Sequence, residues 1–255
     1  MRIDVRSLIG ALVAVSFTAA VPVLAQAPTA RAVSRDYAAE VACGARAVAM
    51  PADMSLRVAG GREQGKTLFG PGDTLVIKGG TAERVKVGQE YFVRRVIADR
   101  FVPPGSDKTS PSSIHTAGWV RISDVQNDTA TATITRVCDG IEEGDYLEPF
   151  VKPSVPSTST AAGEPDFSDP GHLILGDERR QMAAQGDLMV LDRGSDHGLR
   201  AGQRLTVFRT TAQGSGPIAR IAEATAMVVH PETTVIRIDK TTDAVVVGDL
   251  VAIHR

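Results

Sequence analysis

The chain has little of three things that many functional classes need: cysteine, aromatic side chains and an excess of charge of one sign. Two cysteines in 255 residues are too few for a disulfide-dense mini-domain or a zinc finger. The 28 Lys and Arg residues nearly balance 30 Asp and Glu, so no charge excess exists to hold nucleic acid or an anionic membrane. Aromatic residues make up only 4%, which argues against tight sugar binding by ring stacking.

Long apolar runs are also scarce, and the one present lies at the N-terminus. Residues 8–24 are almost uniformly apolar and follow a short basic segment, the pattern of an export signal. Small residues at Val23 and Ala25 predict cleavage after Ala25, so residues 1–25 are interpreted as a signal peptide. A retained membrane anchor is the alternative, since the run is about long enough to span a bilayer. We therefore expect a periplasmic or envelope-associated protein without stable membrane insertion after cleavage.

Export changes the interpretation of the two cysteines. In an oxidising compartment, Cys43 and Cys138 are a candidate disulfide. Buried free thiols and a redox function are the alternatives. Neither cysteine lies in a CxxC pair or beside a basic cluster that would lower its pKa, which disfavours redox chemistry.

An internal repeat divides the chain. Residues 72–95 align without gaps with residues 186–209, and residues 130–147 align with residues 234–251. This similarity predicts two copies of one structural unit. The identical residues of the first alignment are Gly72, Asp73, Val76, Gly80, Gly88, Gln89, Val93 and Arg95.

The repeated unit has the pattern of β-structure. Residues 129–137 alternate strictly between Thr and apolar or basic residues, and similar short runs rich in Val, Ile and Thr recur six times per copy. No stretch between them supports a crossover helix, so a parallel sheet is disfavoured. A small, bent antiparallel barrel or sandwich in each copy is the natural solution, because closure removes exposed strand edges.

Repeated Gly and Gly-Asp positions indicate structural turns rather than a site. Gly supplies the positive φ that a tight turn needs, and Asp can cap the following backbone. The predicted turn residues are Gly88, Gly144, Asp145, Gly202, Gly248 and Asp249.

Composition suggests where the copies begin and end. Residues 26–42 are Ala-rich and predict a flexible N-terminal segment with a helix around residues 37–41, and residues 151–170 are a linker rich in Pro, Ser and Thr. The first repeat is expected over residues 43–150 and the second over residues 171–255.

The repeated pattern resembles one found in exported bacterial envelope proteins. It is similar to the SH3-like C-terminal domain of flagellar assembly protein T, and to the repeat region that accompanies LysM-type peptidoglycan-binding domains. The resemblance implies an all-β chain of two tandem small SH3-like antiparallel β-barrels. It also implies that Cys43 and Cys138 pair, but it does not imply glycan binding, because the chain has no LysM repeat of its own. The residues that carry it are Gly80, Val85, Gly88, Val93, Arg95, Ile141, Gly144 and Asp145, with Gly194, Gly198, Leu199, Gly202, Val207, Arg209, Val245, Gly248 and Asp249.

No constellation of residues predicts catalysis, a metal or another cofactor. The consecutive residues Ser195, Asp196 and His197 have the types of a catalytic triad, but sequence neighbours diverge and cannot form both hydrogen bonds that a triad needs. The five histidines are scattered without metal-ligand spacing. We therefore expect a protein that is not an enzyme.

One region of the first copy is longer than its counterpart and is the candidate binding surface. Residues 98–118 form a predicted Pro- and Ser-rich loop, and long loops on small barrels often carry binding. A variable surface hairpin is the alternative. The candidate binding residues are Arg94, Arg95, Arg100, Phe101 and Trp119.

These features favour a non-enzymatic envelope scaffold or adaptor that binds a protein partner or peptidoglycan. An accessory component of an envelope machine, such as the flagellar basal body, is the alternative. An envelope hydrolase with a site between the barrels is a third hypothesis, which requires a cleft lined by carboxylates from both copies.

Overall fold

The structure is a computed structural model, in which residues from 35 onwards form one compact unit. The predicted signal peptide, Arg100 and Phe101 lie outside the described residues. Within the described part of the chain, no helix is long and apolar enough to cross a membrane. The structure describes residues 36–47, 54–63, 65–97, 112–157, 163–176, 180–210 and 216–255.

The first copy forms a closed antiparallel barrel. Its strands are β1 (Arg46–Ala47), β2 (Arg57–Gly61), β3 (Thr74–Lys78), β4 (Glu90–Ile97), β5 (Ser113–Val125), β6 (Thr129–Val137) and β7 (Tyr146–Pro149). Six of them follow the order β2-β3-β6-β5-β4-β7, and β7 pairs back with β2 to close the barrel. The short β1 pairs with the start of β5.

The second copy closes in the same way. Its strands are β8 (Pro165–Gly176), β9 (Met182–Ala183), β10 (Leu188–Leu191), β11 (Arg204–Thr210), β12 (Ile218–Val229), β13 (Thr234–Thr241), β14 (Val245–Val246) and β15 (Leu250–His254). The barrel order is β8-β10-β13-β12-β11-β15, while β9 and β14 pair separately. Strand for strand, this is the order of the first barrel. The prediction of an all-β fold with two small antiparallel barrels is confirmed.

Each barrel is filled by its own apolar side chains. In β6, Ala130, Ala132 and Ile134 are buried, as the alternation in the sequence predicts. They join one apolar cluster inside the first barrel, and a second cluster that includes Leu205 and Ile236 fills the second barrel. The barrel interiors are therefore packed cores.

The predicted turn glycines have the expected backbone geometry. Gly88, Gly144, Gly202 and Gly248 have φ values between 84° and 97°, which confirms the need for glycine there.

The aspartates that follow turn glycines cap the chain in the opposite direction from the prediction. Asp145 Oδ2 accepts a hydrogen bond from the Glu142 amide at 2.9 Å, and Asp249 Oδ2 accepts one from the Val246 amide at 2.7 Å. Asp73 and Asp187 do the same. The capped amide thus lies three residues before the aspartate, because the turn brings that N–H back towards the side chain. The prediction that Asp caps the following backbone is wrong in direction.

An ion pair with a buried aspartate joins each of these last turns to a strand of its barrel. Arg95 on β4 donates from Nε and Nη2 to Asp145 at 2.8 and 2.9 Å, in a two-bond fork. Arg209 on β11 forms the same fork with Asp249 at 2.6 and 2.9 Å. Paired donors in this geometry form the strongest class of protein hydrogen bond.

The helix expected around residues 37–41 is present as α1 (Tyr37–Cys43), where Asp36 caps the first turn and Val41 is buried. One predicted segment boundary needs correction. The end of the predicted linker, from Pro165 onwards, belongs to β8. That strand accommodates Pro170 because its pairing with β15 is interrupted between Asp166 and Gly171.

The helix α1 connects the two barrels. Cys43 at its end forms a disulfide with Cys138 of the first barrel, which confirms the predicted pairing. Val41 packs into an apolar cluster with Leu188, Met227 and Val235 of the second barrel. One short element is therefore bonded covalently to one barrel and packed against the other.

Removing the charge of Asp145 should destabilise the protein strongly. Asp145→Asn keeps an oxygen for the turn cap but leaves the largely buried Arg95 with only the exposed Glu142 as a counter-charge. The side chain of Asp145 is only 3% exposed, so we expect a loss of about 3 kcal/mol in the free energy of unfolding, measured in urea. The matched control is Asp73→Asn, which alters a more exposed cap and should cost less. Equal losses in the two variants would contradict a structural role for the buried ion pair.

Glycine at position 84 should stabilise the first barrel. Arg84 is the only described non-glycine residue with positive φ (65°), whereas the second barrel has Gly198 at the equivalent place, with φ 81°. Arg84→Gly should raise the free energy of unfolding by about 1 kcal/mol, because it removes backbone strain.

The reciprocal change is the control. Gly198→Arg should lower the free energy of unfolding by a similar amount. The cause would be backbone strain and not a steric clash, because a Cβ atom at position 198 would meet no atom within 4 Å. A neutral or destabilising Arg84→Gly would show that the Arg84 side chain contributes more than its backbone costs.

Candidate functional site

The candidate binding residues occupy different environments. Arg95 is engaged in the fork with Asp145 and two further contacts, a hydrogen bond to the Gly140 carbonyl at 2.9 Å and an ion pair with Glu142. Arg94 and Trp119 lie around Phe92 of β4. The Arg94 guanidinium is 4.1 Å from the Phe92 ring centroid, and the Trp119 ring is 6.0 Å from it. Arg94 lines a cavity that also contains other charged groups.

Arg94 is a buried cation. Its side chain is 7% exposed, and it donates from Nη1 to the Thr116 hydroxyl, which in turn donates to the Ala42 carbonyl at 3.0 Å. These contacts connect β4, β5 and α1, so the guanidinium is held in place from two sides.

Two guanidinium groups share one carboxylate at this point. Arg46 of β1 donates from Nη2 to Glu148 Oε2, and the Arg94 Nε atom lies 3.6 Å from the same oxygen. The Nε atoms of Arg46 and Arg94 are buried and have no hydrogen-bond partner among the described residues. The local charge of these three side chains is therefore +1, and the cations retain unused donors.

A cavity of about 280 Å³ contains these groups at the junction of the barrels. We call it the junction pocket. Its charged or titratable members are Arg46, Arg94, Glu148 and His230. The other lining residues are apolar or small, and they come from α1, both barrels and the segment after β7: Val41, Ala42, Gly44, Phe92, Pro149, Val151, Pro153, Val228 and Val235.

The second barrel shows that these charges are not a requirement of the fold. In the repeat alignment, Arg94 corresponds to Phe208 and Glu148 corresponds to Ala252, both buried and apolar. Phe208 packs edge-on against Phe167, with the ring centroids 4.9 Å apart. Apolar side chains therefore fill the two aligned positions in the second barrel. Because the fold does not require charges there, the buried charges of the first barrel need a different explanation.

The positive charge of the junction pocket affects its titratable groups. Burial lowers the pKa of Arg94 to about 10, with Arg46 adding to the effect and Glu148 opposing it. His230 is half-buried, and its pKa is lowered first by burial and then by the charges of Arg46 and Arg94.

A second cavity of about 280 Å³ lies on the second barrel and is a weaker candidate. Its walls include Arg220, Glu223 and Lys240, which are exposed side chains of both signs. Charges of this kind are well solvated and weakly selective. Over the described ranges, no group of three or more His, Cys, Asp or Glu side chains could hold a metal ion. Ser195–His197 form a single 3₁₀ turn.

Sequence reasoning selected Arg94 but missed its partners Arg46, Glu148 and His230. These four residues are far apart in the chain, and only the tertiary structure brings them together. One usable signal was the cysteine pair, since a disulfide at Cys43 brings the neighbouring Arg46 to the first barrel.

No protein-family model and no curated protein matches this chain.

Acid should weaken the protein through His230. A folded-state pKa below the usual value of about 6.5 means that the unfolded chain binds the proton more readily. The stabilisation from neutral His230 is therefore present above the unfolded-state pKa and is lost progressively as pH falls from that value through the lower folded-state pKa. Wild type should lose more unfolding free energy than His230→Gln between pH 7.5 and pH 5, in urea titrations at each pH.

The comparison isolates His230 because all other titratable groups are common to both proteins. An equal loss in the two proteins would show that the junction pocket does not disfavour a further positive charge.

Proposed function

We propose that this protein is a non-enzymatic scaffold or adaptor of the cell envelope that binds a protein partner or peptidoglycan through its outer surface. The observation that carries the proposal is that both barrels are filled by their own side chains while α1 holds them together. A filled barrel has no interior room for a ligand, so binding falls to the outer surface and to the junction.

The disulfide supports an exported location. The Cys43–Cys138 bond links positions 95 residues apart and is typical of proteins that fold in oxidising compartments. The apolar run at the N-terminus and the resemblance to envelope proteins with SH3-like repeats favour the same location.

The structural duties of the turn carboxylates support a binding role rather than catalysis. Asp73, Asp145, Asp187 and Asp249 each accept a hydrogen bond from a backbone amide three residues earlier. Their shared position after a glycine is thus explained by folding.

Sedimentation and crosslinking test the proposal. Purified protein is mixed with peptidoglycan sacculi at low and moderate salt and centrifuged, with sacculi omitted as the control for aggregation. In parallel, a short chemical crosslinker is applied to intact envelopes. We expect salt-resistant pelleting with the sacculi or a discrete crosslinked adduct with one partner, and no soluble fragments released from the sacculi.

Two results would contradict the proposal. One is a protein that stays in the supernatant and remains an uncrosslinked monomer in envelopes. The other is release of soluble wall fragments, which would identify a hydrolase.

A further inference from the structure

We propose that the junction pocket binds the free C-terminal carboxylate of a peptide whose last residues have small aliphatic side chains. The inference rests on the proposed adaptor function, since it names the group by which a partner would be held. It is tested on purified protein with short peptides, so its failure is distinguishable from failure to bind sacculi or envelope proteins.

The charge of the junction pocket calls for one more anion. Arg46 and Arg94 contribute two positive charges, and Glu148 is the one carboxylate that the described residues bring to them. Burying a cation without a matching negative charge costs free energy of folding. A second carboxylate would neutralise the charge of Arg46, Arg94 and Glu148. Both guanidinium groups line the pocket, while their Nε atoms are buried and have no hydrogen-bond partner among the described residues.

The walls of the pocket favour a peptide carboxylate over free phosphate. Planar guanidinium groups form paired hydrogen bonds with carboxylate and phosphate alike, so the cations alone do not discriminate between them. The pocket walls include the aliphatic side chains of Val41, Val228 and Val235. Such walls would contact the side chain of a terminal residue, whereas a free phosphate carries no group to fill them.

The shape of the pocket fits a short peptide end. A volume of about 280 Å³ is slightly below the range of drug-sized ligand sites, so it holds only a few small residues. Pro149, Val151 and Pro153 line one side at every second position. This spacing is that of an extended chain, so the wall runs lengthwise beside the space that an extended peptide would occupy.

The direct test is a titration monitored by NMR of the arginine Nε–H groups. The probes are N-acetyl-L-alanyl-L-alanine, N-acetyl-D-alanyl-D-alanine and the C-terminal amide of each. We expect saturable shifts of the Arg46 and Arg94 signals with an acid probe, and at least about tenfold weaker binding of its amide.

The configuration of the preferred probe identifies the source of the carboxylate. Preference for the L,L acid supports the C-terminus of a partner protein. Preference for the D,D acid supports a stem peptide of peptidoglycan. No saturable binding of either acid, equal binding of acid and amide, or equally effective competition by inorganic phosphate would overturn the proposal.

Two substitutions place the binding at the junction pocket. Arg46→Gln should weaken binding of the acid about tenfold, because it removes one cation. Glu148→Gln should tighten binding, because it removes the carboxylate that competes for the same donors. The matched control is Arg121→Gln, since Arg121 pairs with Glu90 on the same barrel, outside the junction pocket, and should leave binding unchanged.

Arg46→Gln is the decisive variant, since the Arg46 side chain is 23% exposed and forms its ion pair with Glu148. Unchanged affinity in a folded Arg46→Gln protein would overturn the proposal, whatever the behaviour of Glu148→Gln.

Discussion

The forked ion pair between a strand arginine and a turn aspartate is the interaction on which both barrels depend. Arg95 with Asp145 and Arg209 with Asp249 join a strand of each barrel to the turn that starts its last strand. The same aspartate also caps that turn, so one carboxylate fixes both the local backbone and its attachment to the barrel. Because the last strand closes the barrel, closure follows from this contact.

The candidate site lies where the two copies differ. The shared frame of turns and ion pairs is repeated, but the buried charges of the junction pocket have apolar counterparts in the second barrel, Phe208 and Ala252. The helix α1 completes the pocket with Val41 and has no counterpart among the described residues of the second copy. The repeated turns and ion pairs thus stabilise both barrels, whereas the parts that are not repeated form the junction pocket.

The internal repeat made the fold predictable from the sequence, but it did not predict the residues of the junction pocket. Alternation in residues 129–137 and the paired glycines identified strands and turns, since these depend on local chain geometry. The strand at Pro165 was missed because its prolines are accommodated by an interrupted ladder, which no local pattern reveals. Arg94 was selected but its partners were not, because their meeting depends on how α1 and two barrels pack.

We infer that the two barrels act as one unit through α1 and the junction pocket. Scanning calorimetry of the intact, disulfide-bonded protein measures this coupling. We expect one cooperative transition, with a ratio of calorimetric to van't Hoff enthalpy of about one. Two separate transitions, one for each barrel, would show that the barrels unfold independently.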